Sequence, residues 1–194
     1  MSAQLHQDIS ACRLCAEYLV DGPRPIVQFA PSSRILIIGQ APGSKVHASG
    51  VPWDDDSGDR LRDWLGLEKP DFYDPNKVAL IPMGFCYPGK VPKEEGGGGD
   101  RPPRPECAPK WHDLVLANLP KDRLTLLVGS YAQSYYLAKS KRRTMTETVR
   151  HFADYAPIIP LPHPAWRVRM WMGKNPWFAD ELLPVLREKV AGAL

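Results

Sequence analysis

The sequence predicts an α/β fold, with three α/β/α layers around a central four-stranded parallel sheet. Four short apolar runs indicate buried strands, because continuous β-branched or leucine-rich runs suit a sheet that is covered on both faces. Segments of helical periodicity separate these runs, and strands that alternate with helices favour a parallel arrangement. The predicted strands are residues 34–38, 78–81, 124–128 and 157–161.

The helical pattern is clearest after the first strand. Residues 57–65 begin with Ser57, a good N-cap residue, and place Leu61, Trp64 and Leu65 on one face. The remaining predicted helices are residues 106–119, 130–139 and 177–194.

Composition limits the class of protein. The chain has 194 residues, of which 43% are hydrophobic and 24% charged, with a net charge of +3. These values fit one globular domain spanning residues 1–194 and argue against intrinsic disorder. The sequence has no apolar run of membrane-spanning length and its N-terminus has no apolar signal segment, so we expect a cytoplasmic protein without membrane contact. We also expect a monomer, although no sequence feature indicates the oligomeric state.

Two segments stand out by composition. Residues 88–105 are rich in glycine, proline and charge, which predicts a surface loop rather than a core element or a linker. Residues 130–174 contain eight Lys or Arg and two acidic residues. Such clustering suits a phosphate-binding face, although a solvated surface has the same composition.

Unusual residues follow three of the predicted strands, at positions 39–43 (GQAPG), 82–89 (PMGFCYPG) and 162–167 (PHPAWR). In parallel α/β sheets ligands bind at the carboxyl ends of the strands, so converging loops would form one pocket. GQAPG matches neither a P-loop nor a GxGxxG fingerprint, and taken alone it favours a tight strand-to-helix turn over a chemical site. His163 lies between two prolines, which gives a stiff loop suited to an acid–base or electrophilic group.

An aromatic residue and three carboxylates occupy the segment after GQAPG. Trp53 follows a proline, where an aromatic ring can stack on a planar ligand. Asp54, Asp55 and Asp56 suit the polarisation of a water molecule or the binding of a cation, whereas helix capping is the structural alternative.

The chain has four cysteines, Cys12, Cys15, Cys86 and Cys107. Four thiolates match either a tetrahedral zinc site or an iron–sulfur cluster. Ordinary buried thiols are the competing interpretation.

Together these motifs resemble the uracil-DNA glycosylase superfamily, most closely its iron–sulfur branch, family four. The resemblance rests on GQAPG, six further residues and then GVPW; on His163-Pro164-Ala165 after the fourth strand; and on the CxxC, Cys86 and Cys107. It covers nearly the whole chain. Asp56-Ser-Gly-Asp59 also resembles the segment of family five that carries a catalytic aspartate, and makes both Asp55 and Asp56 candidates.

The sequence departs from the family-four pattern at the base site. Gln40 replaces a glutamate, Trp53 replaces a stacking phenylalanine, and Pro82 replaces the asparagine that reads the uracil edge. Ala41 stands where other branches carry a water-positioning aspartate.

The resemblance implies a monofunctional DNA glycosylase that releases uracil or a related deaminated base from single- or double-stranded DNA. It assigns catalysis to His163 with Asp55 or Asp56, base binding to Gly39, Gln40, Ala41, Trp53 and Pro82, and DNA contacts to Pro164, Arg167 and Arg169. It implies a [4Fe–4S] cluster, with zinc as the alternative, on Cys12, Cys15, Cys86 and Cys107. The alternatives are a non-catalytic DNA-binding protein of the same fold and a small-molecule-binding domain that uses GQAPG for phosphate.

Overall fold

A computed structural model describes residues 2–194. Its strands are β1 (Ile35–Gly39), β2 (Val78–Pro82), β3 (Leu124–Val128) and β4 (Ile158–Leu161). The α-helices are α1 (Ser2–Ser10), α2 (Ser44–Ser49), α3 (Asp56–Leu65), α4 (Lys69–Phe72), α5 (Cys107–Leu116), α6 (Ser130–Tyr136), α7 (Met145–Arg150), α8 (Val168–Lys174) and α9 (Leu183–Ala193).

The four strands form one parallel sheet in the order β2-β1-β3-β4. Gly39 pairs with Pro82 at the end of β1 and β2, and Val128 pairs with Leu161 at the end of β3 and β4. Strand β2 lies on one side of β1 and β3 lies on the other, so the direction of the chain connections reverses at β1. Ligands bind at such a switch point in parallel α/β folds. The predicted fold class is confirmed.

The core has two parts, one on each face of the sheet. Ile35 and Ile37 pack on one face with α3, α4, α7, α8 and α9, while Leu36 and Ile38 pack on the other with α1, α5 and α6. Side chains alternate between the faces of a strand, so a continuous apolar run serves both layers.

Two helical segments begin differently from the prediction. Helix α3 begins at Asp56, and its N-cap is Asp55, whose carboxylate accepts a hydrogen bond from the Gly58 amide at 2.9 Å. Ser57, the predicted cap, is therefore not the N-cap. The C-terminal helical segment begins as a π-helical turn, Phe178–Leu182, before α9.

Residues 88–105 were predicted to be a surface loop, and most of residues 90–100 are exposed. The segment pairs with itself as a hairpin. The Val91 amide donates to the Gly99 carbonyl at 2.9 Å, and the Arg101 amide donates to the Gly89 carbonyl at 2.8 Å. We call residues 89–101 the Gly-rich hairpin. Its second arm reaches the carboxyl ends of the strands, because Gly98, Gly99 and Asp100 line the cleft described below.

Within residues 2–194, no helix combines the length and the apolar character needed to cross a bilayer.

Candidate active site

A cleft of about 320 Å³ opens at the carboxyl ends of the strands. Its volume is within the range of sites that hold small molecules. Loops from three strands and the start of α3 contribute to it. The sequence-predicted residues that line it are Gly39, Gln40, Ala41, Trp53, Asp55, Pro82 and His163.

The loop that carries His163 is held by several hydrogen bonds. The carbonyl of Leu161, two residues before the histidine, accepts from the Gly129 amide at 2.9 Å and from the buried Gln133 side chain at 2.8 Å. The Pro164 carbonyl, one residue after it, accepts from the Arg60 guanidinium. Gly129, with φ of 89°, leaves room for the histidine, since a Cβ there would lie 3.3 Å from the His163 Cβ.

Burial lowers the pKa of His163, and the negative charge of Asp55 opposes that shift. The imidazole is therefore neutral at neutral pH, with one ring nitrogen as a donor and the other as an acceptor. Such a group can donate to an oxygen on which negative charge develops.

Trp53 forms one wall of the cleft. Its ring stacks on His163 at a centroid distance of 5.7 Å, and its backbone has the left-handed φ of 57°. The Trp53 carbonyl accepts hydrogen bonds from the Tyr73 hydroxyl at 3.3 Å and the Arg62 guanidinium at 3.4 Å. A Cβ at Gly39 would lie 2.7 Å from the indole ring, so glycine is required there for the tryptophan to reach this position.

The structure separates the two aspartate candidates. Asp55 lines the cleft and uses one carboxylate oxygen to cap α3. Asp56 points elsewhere: it forms an ion pair with Lys45 at 3.0 Å and lies in a shallow depression with Asp59, Asp63 and Arg169.

The predicted DNA-contacting residues differ in exposure and in their neighbours. Pro164 is buried, Arg167 is exposed, and Arg169 is exposed beside the acidic residues of that depression. Trp166, which the sequence analysis did not select, lines the cleft with its side chain 67% exposed. The Arg167 guanidinium carbon lies 5.1 Å from the Trp166 ring centre. An exposed aromatic between the histidine and a basic residue was the available signal.

Asp100 is a second residue that sequence reasoning missed. Loss of solvent around its carboxylate raises its pKa. The hydrogen bond from Tyr87 and the charge of Lys90 lower the pKa in part, and the negative charge of Asp55 raises it further. The two carboxylates therefore lie within electrostatic range of each other at the cleft. No local pattern in a Gly-rich segment places its aspartate there.

The four cysteines line one small apolar cavity on the side of α5, away from His163. Cys12, Cys15 and Cys86 are partly buried and Cys107 is buried. Burial raises the pKa of the Cys86 thiol to about 11 and that of Cys107 to about 12. The thiolate forms in this apolar cavity consequently need a compensating positive charge.

The surroundings of this cavity test which metal group would fit. In residues 2–194 no three His, Cys, Asp or Glu side chains are placed to hold a single metal ion. Around one zinc ion, thiolates at about 2.3 Å would lie within about 4 Å of one another. A cubane cluster holds its thiolates farther apart, because each binds a different iron atom. Two buried donors at the cavity, Trp111 Nε1 and Arg104 Nε, have no hydrogen-bond partner among the described residues 2–194 and suit an anionic cluster.

One comparison with known proteins bears on these two sites. The family model described as the uracil DNA glycosylase superfamily matches residues 26–187, which is most of the chain. The matched span includes β1 to β4 and the whole cleft, as well as Cys86 and Cys107. Cys12 and Cys15 lie before it.

Proposed function

We propose that this protein hydrolyses the N-glycosidic bond of uracil or a related deaminated base in DNA. The premise is that the chain belongs to the uracil DNA glycosylase superfamily. The family is one of DNA-repair glycosylases. The observation that carries the proposal is the cleft itself, where a neutral histidine, a stacking indole and a carboxylate meet at the ends of parallel strands.

The cleft suits a base that has left the helical stack. A glycosylase acts on a flipped-out or single-stranded nucleotide, which must enter a pocket and be held there. The Trp53 ring and the backbone of Gly39, Gln40 and Ala41 provide flat and polar walls for such a base. Bond cleavage leaves negative charge on the departing base, and we assign the stabilisation of that charge to the His163 N–H.

Asp55 supports the other half of the reaction. Cleavage leaves positive charge on the sugar, and a carboxylate near His163 can stabilise that charge or orient the attacking water. Ala41 carries no group for this purpose. We therefore assign to Asp55, and not to Asp56, the role of stabilising the sugar cation or orienting the attacking water.

Asp55→Asn should lower the single-turnover rate of base release about 10- to 100-fold, which corresponds to the loss of one charge-assisted interaction. Asparagine can still cap α3, so the fold should persist. Asp56→Asn is the matched control, because it removes the adjacent charge outside the cleft, and it should keep the wild-type rate. Equal rates for both variants, or a defect in Asp56→Asn alone, would reverse the assignment.

Trp166→Ala should reduce base release from duplex DNA about 10- to 100-fold, and affect single-stranded substrate less. An exposed aromatic at the rim can wedge between base steps and fill the space left by a flipped nucleotide, and stacking is worth roughly 1–3 kcal/mol per base. Met170→Ala, which truncates an exposed side chain on α8 outside the cleft, is the control. A Trp166→Ala defect of the same size on both substrates would argue against a wedge.

We also propose that Cys12, Cys15, Cys86 and Cys107 hold a [4Fe–4S] cluster. The shared cavity and the two unpartnered donors support it. The likeness to family four supports it independently. A cluster there would join the segment after α1 to β2 and α5, and would contribute structure rather than bond cleavage.

The function is tested by a base-release panel. Oligonucleotides with uracil, hypoxanthine, xanthine or an oxidised pyrimidine, single-stranded and paired, are incubated with excess protein and assayed for alkali-labile sites. Release of a deaminated base supports a glycosylase. Tight binding of the same DNA without release of any base would favour a non-catalytic DNA-binding protein.

A further inference from the structure

The cleft has few side chains that can read the hydrogen-bonding edge of a base. Pro82, at the end of β2, offers no side-chain donor or acceptor, and its carbonyl already accepts from His112 Nε2 at 3.0 Å. Apart from the two tryptophans, the polar side chains that line the cleft are Gln40, Asp55, Ser57, Asp100 and His163. Of these, Asp55 caps α3 and His163 stacks on Trp53.

Asp100 is held in place by the Gly-rich hairpin. Lys90 and Asp100 form an antiparallel bridge between its two arms. The hydroxyl of the buried Tyr87 donates to Asp100 Oδ1 at 3.3 Å. Asp100 Oδ2 lies against the GQAPG turn, where a Cβ added to Gly43 would be 3.4 Å from it.

One carboxylate oxygen therefore remains available at the cleft. Oδ1 is engaged by Tyr87, whereas Oδ2 has no hydrogen-bond partner among the side chains and amides of residues 2–194. An ionised carboxylate only accepts hydrogen bonds. A single accepting oxygen selects a partner with an N–H and repels a nitrogen that presents a lone pair.

This preference for an N–H distinguishes uracil from cytosine and hypoxanthine from adenine, the bases from which deamination produces them. Cytosine presents a lone pair at N3 and adenine at N1, whereas uracil has an N–H at N3 and hypoxanthine has one at N1. Asp100 is exposed in the structure, and a base seated against it would displace water from its carboxylate. A carboxylate that then faces a lone pair loses its hydrogen bond and is also repelled, which is how polar sites reject close analogues.

We propose that Asp100 is the specificity-determining residue of the cleft, and that Oδ2 accepts a hydrogen bond from the ring N–H of a deaminated base. It takes over base-edge recognition from the strand-end position that Pro82 occupies. This inference rests on the proposed glycosylase function.

The test uses pairs of oligonucleotides that differ by one methyl group: uracil against 3-methyluracil, and hypoxanthine against 1-methylhypoxanthine. Wild-type protein should release the methylated base about 10- to 100-fold more slowly, because the methyl group removes the N–H that a charged acceptor binds. Asp100→Ala should lower release of the unmethylated base by a similar factor and bring the two rates together. Glu94→Gln, an exposed change in the same hairpin, should behave as wild type.

The outcomes separate the two claims. Equal wild-type rates on both members of a pair would overturn the role of Asp100 and leave the glycosylase standing. If Asp100→Ala speeds release of the methylated base without slowing release of the unmethylated base, the Asp100 side chain only excludes the methyl group sterically, and the proposal fails. Release of no base from any oligonucleotide would refute the glycosylase and the inference together.

Discussion

Replacing His163 by alanine should lower the single-turnover rate of base release about 10²- to 10³-fold, while the affinity for the same DNA changes little. This is the usual cost of removing one preorganised donor to a developing anion. The loop is held by the Gly129 amide on the Leu161 carbonyl and by the Arg60 guanidinium on the Pro164 carbonyl, and neither contact uses the His163 side chain, so truncation should leave its shape intact. The measurement is base release with protein in excess, beside DNA binding on the same oligonucleotide.

The pH profile provides a second readout of His163. Burial lowers its pKa, so the neutral imidazole persists as the pH falls through about 6.5, the ordinary histidine value. The wild-type rate should show no histidine step there, and any loss of the neutral form should occur at lower pH. His151→Ala, which removes an exposed histidine at the end of α7, is the control and should match wild type. A folded His163→Ala variant with the wild-type rate rules out this role.

Cys107→Ser should prevent binding of the proposed cluster and destabilise the protein. Anaerobically purified wild-type protein should contain about four iron atoms per chain and absorb near roughly 400 nm, as such clusters do. The variant should lose both signals and unfold at a temperature lower by on the order of 10 °C, because the binding free energy of a structural metal group is coupled to folding.

Ser10→Ala, an exposed change near the CxxC, controls for disturbance of the N-terminal segment and should keep the iron. Colourless wild-type protein with stoichiometric zinc would replace the cluster by a zinc site. Metal-free, fully folded protein with four titratable thiols would leave no metal site at all.

Much of the sheet could be predicted because its strands are buried on both faces. A continuous apolar run such as the one from Ile35 to Ile38 is needed to fill both cores, and such runs are conspicuous. The short helices α2, α4 and α7 escaped prediction because four to six residues are too few to show a helical period.

The site could be predicted only where its residues follow a strand directly. His163 and GQAPG do so, and the sheet brings them together. The choice between Asp55 and Asp56 depends on where α3 begins, and one residue of difference turns a side chain from the cleft to the surface. Asp100 reaches the cleft through hairpin pairing within a segment whose composition indicates only a loop, so no local pattern reveals it.

The most direct test of the central claim is the chemical identity of the product. Wild-type protein in excess over a uracil-containing single strand should yield free uracil and an equal amount of intact strand that breaks only on alkali treatment. His163→Ala should reduce both products in parallel. If wild-type protein binds the strand but neither free uracil nor any other free deaminated base appears across the panel, this cleft is not a glycosylase active site.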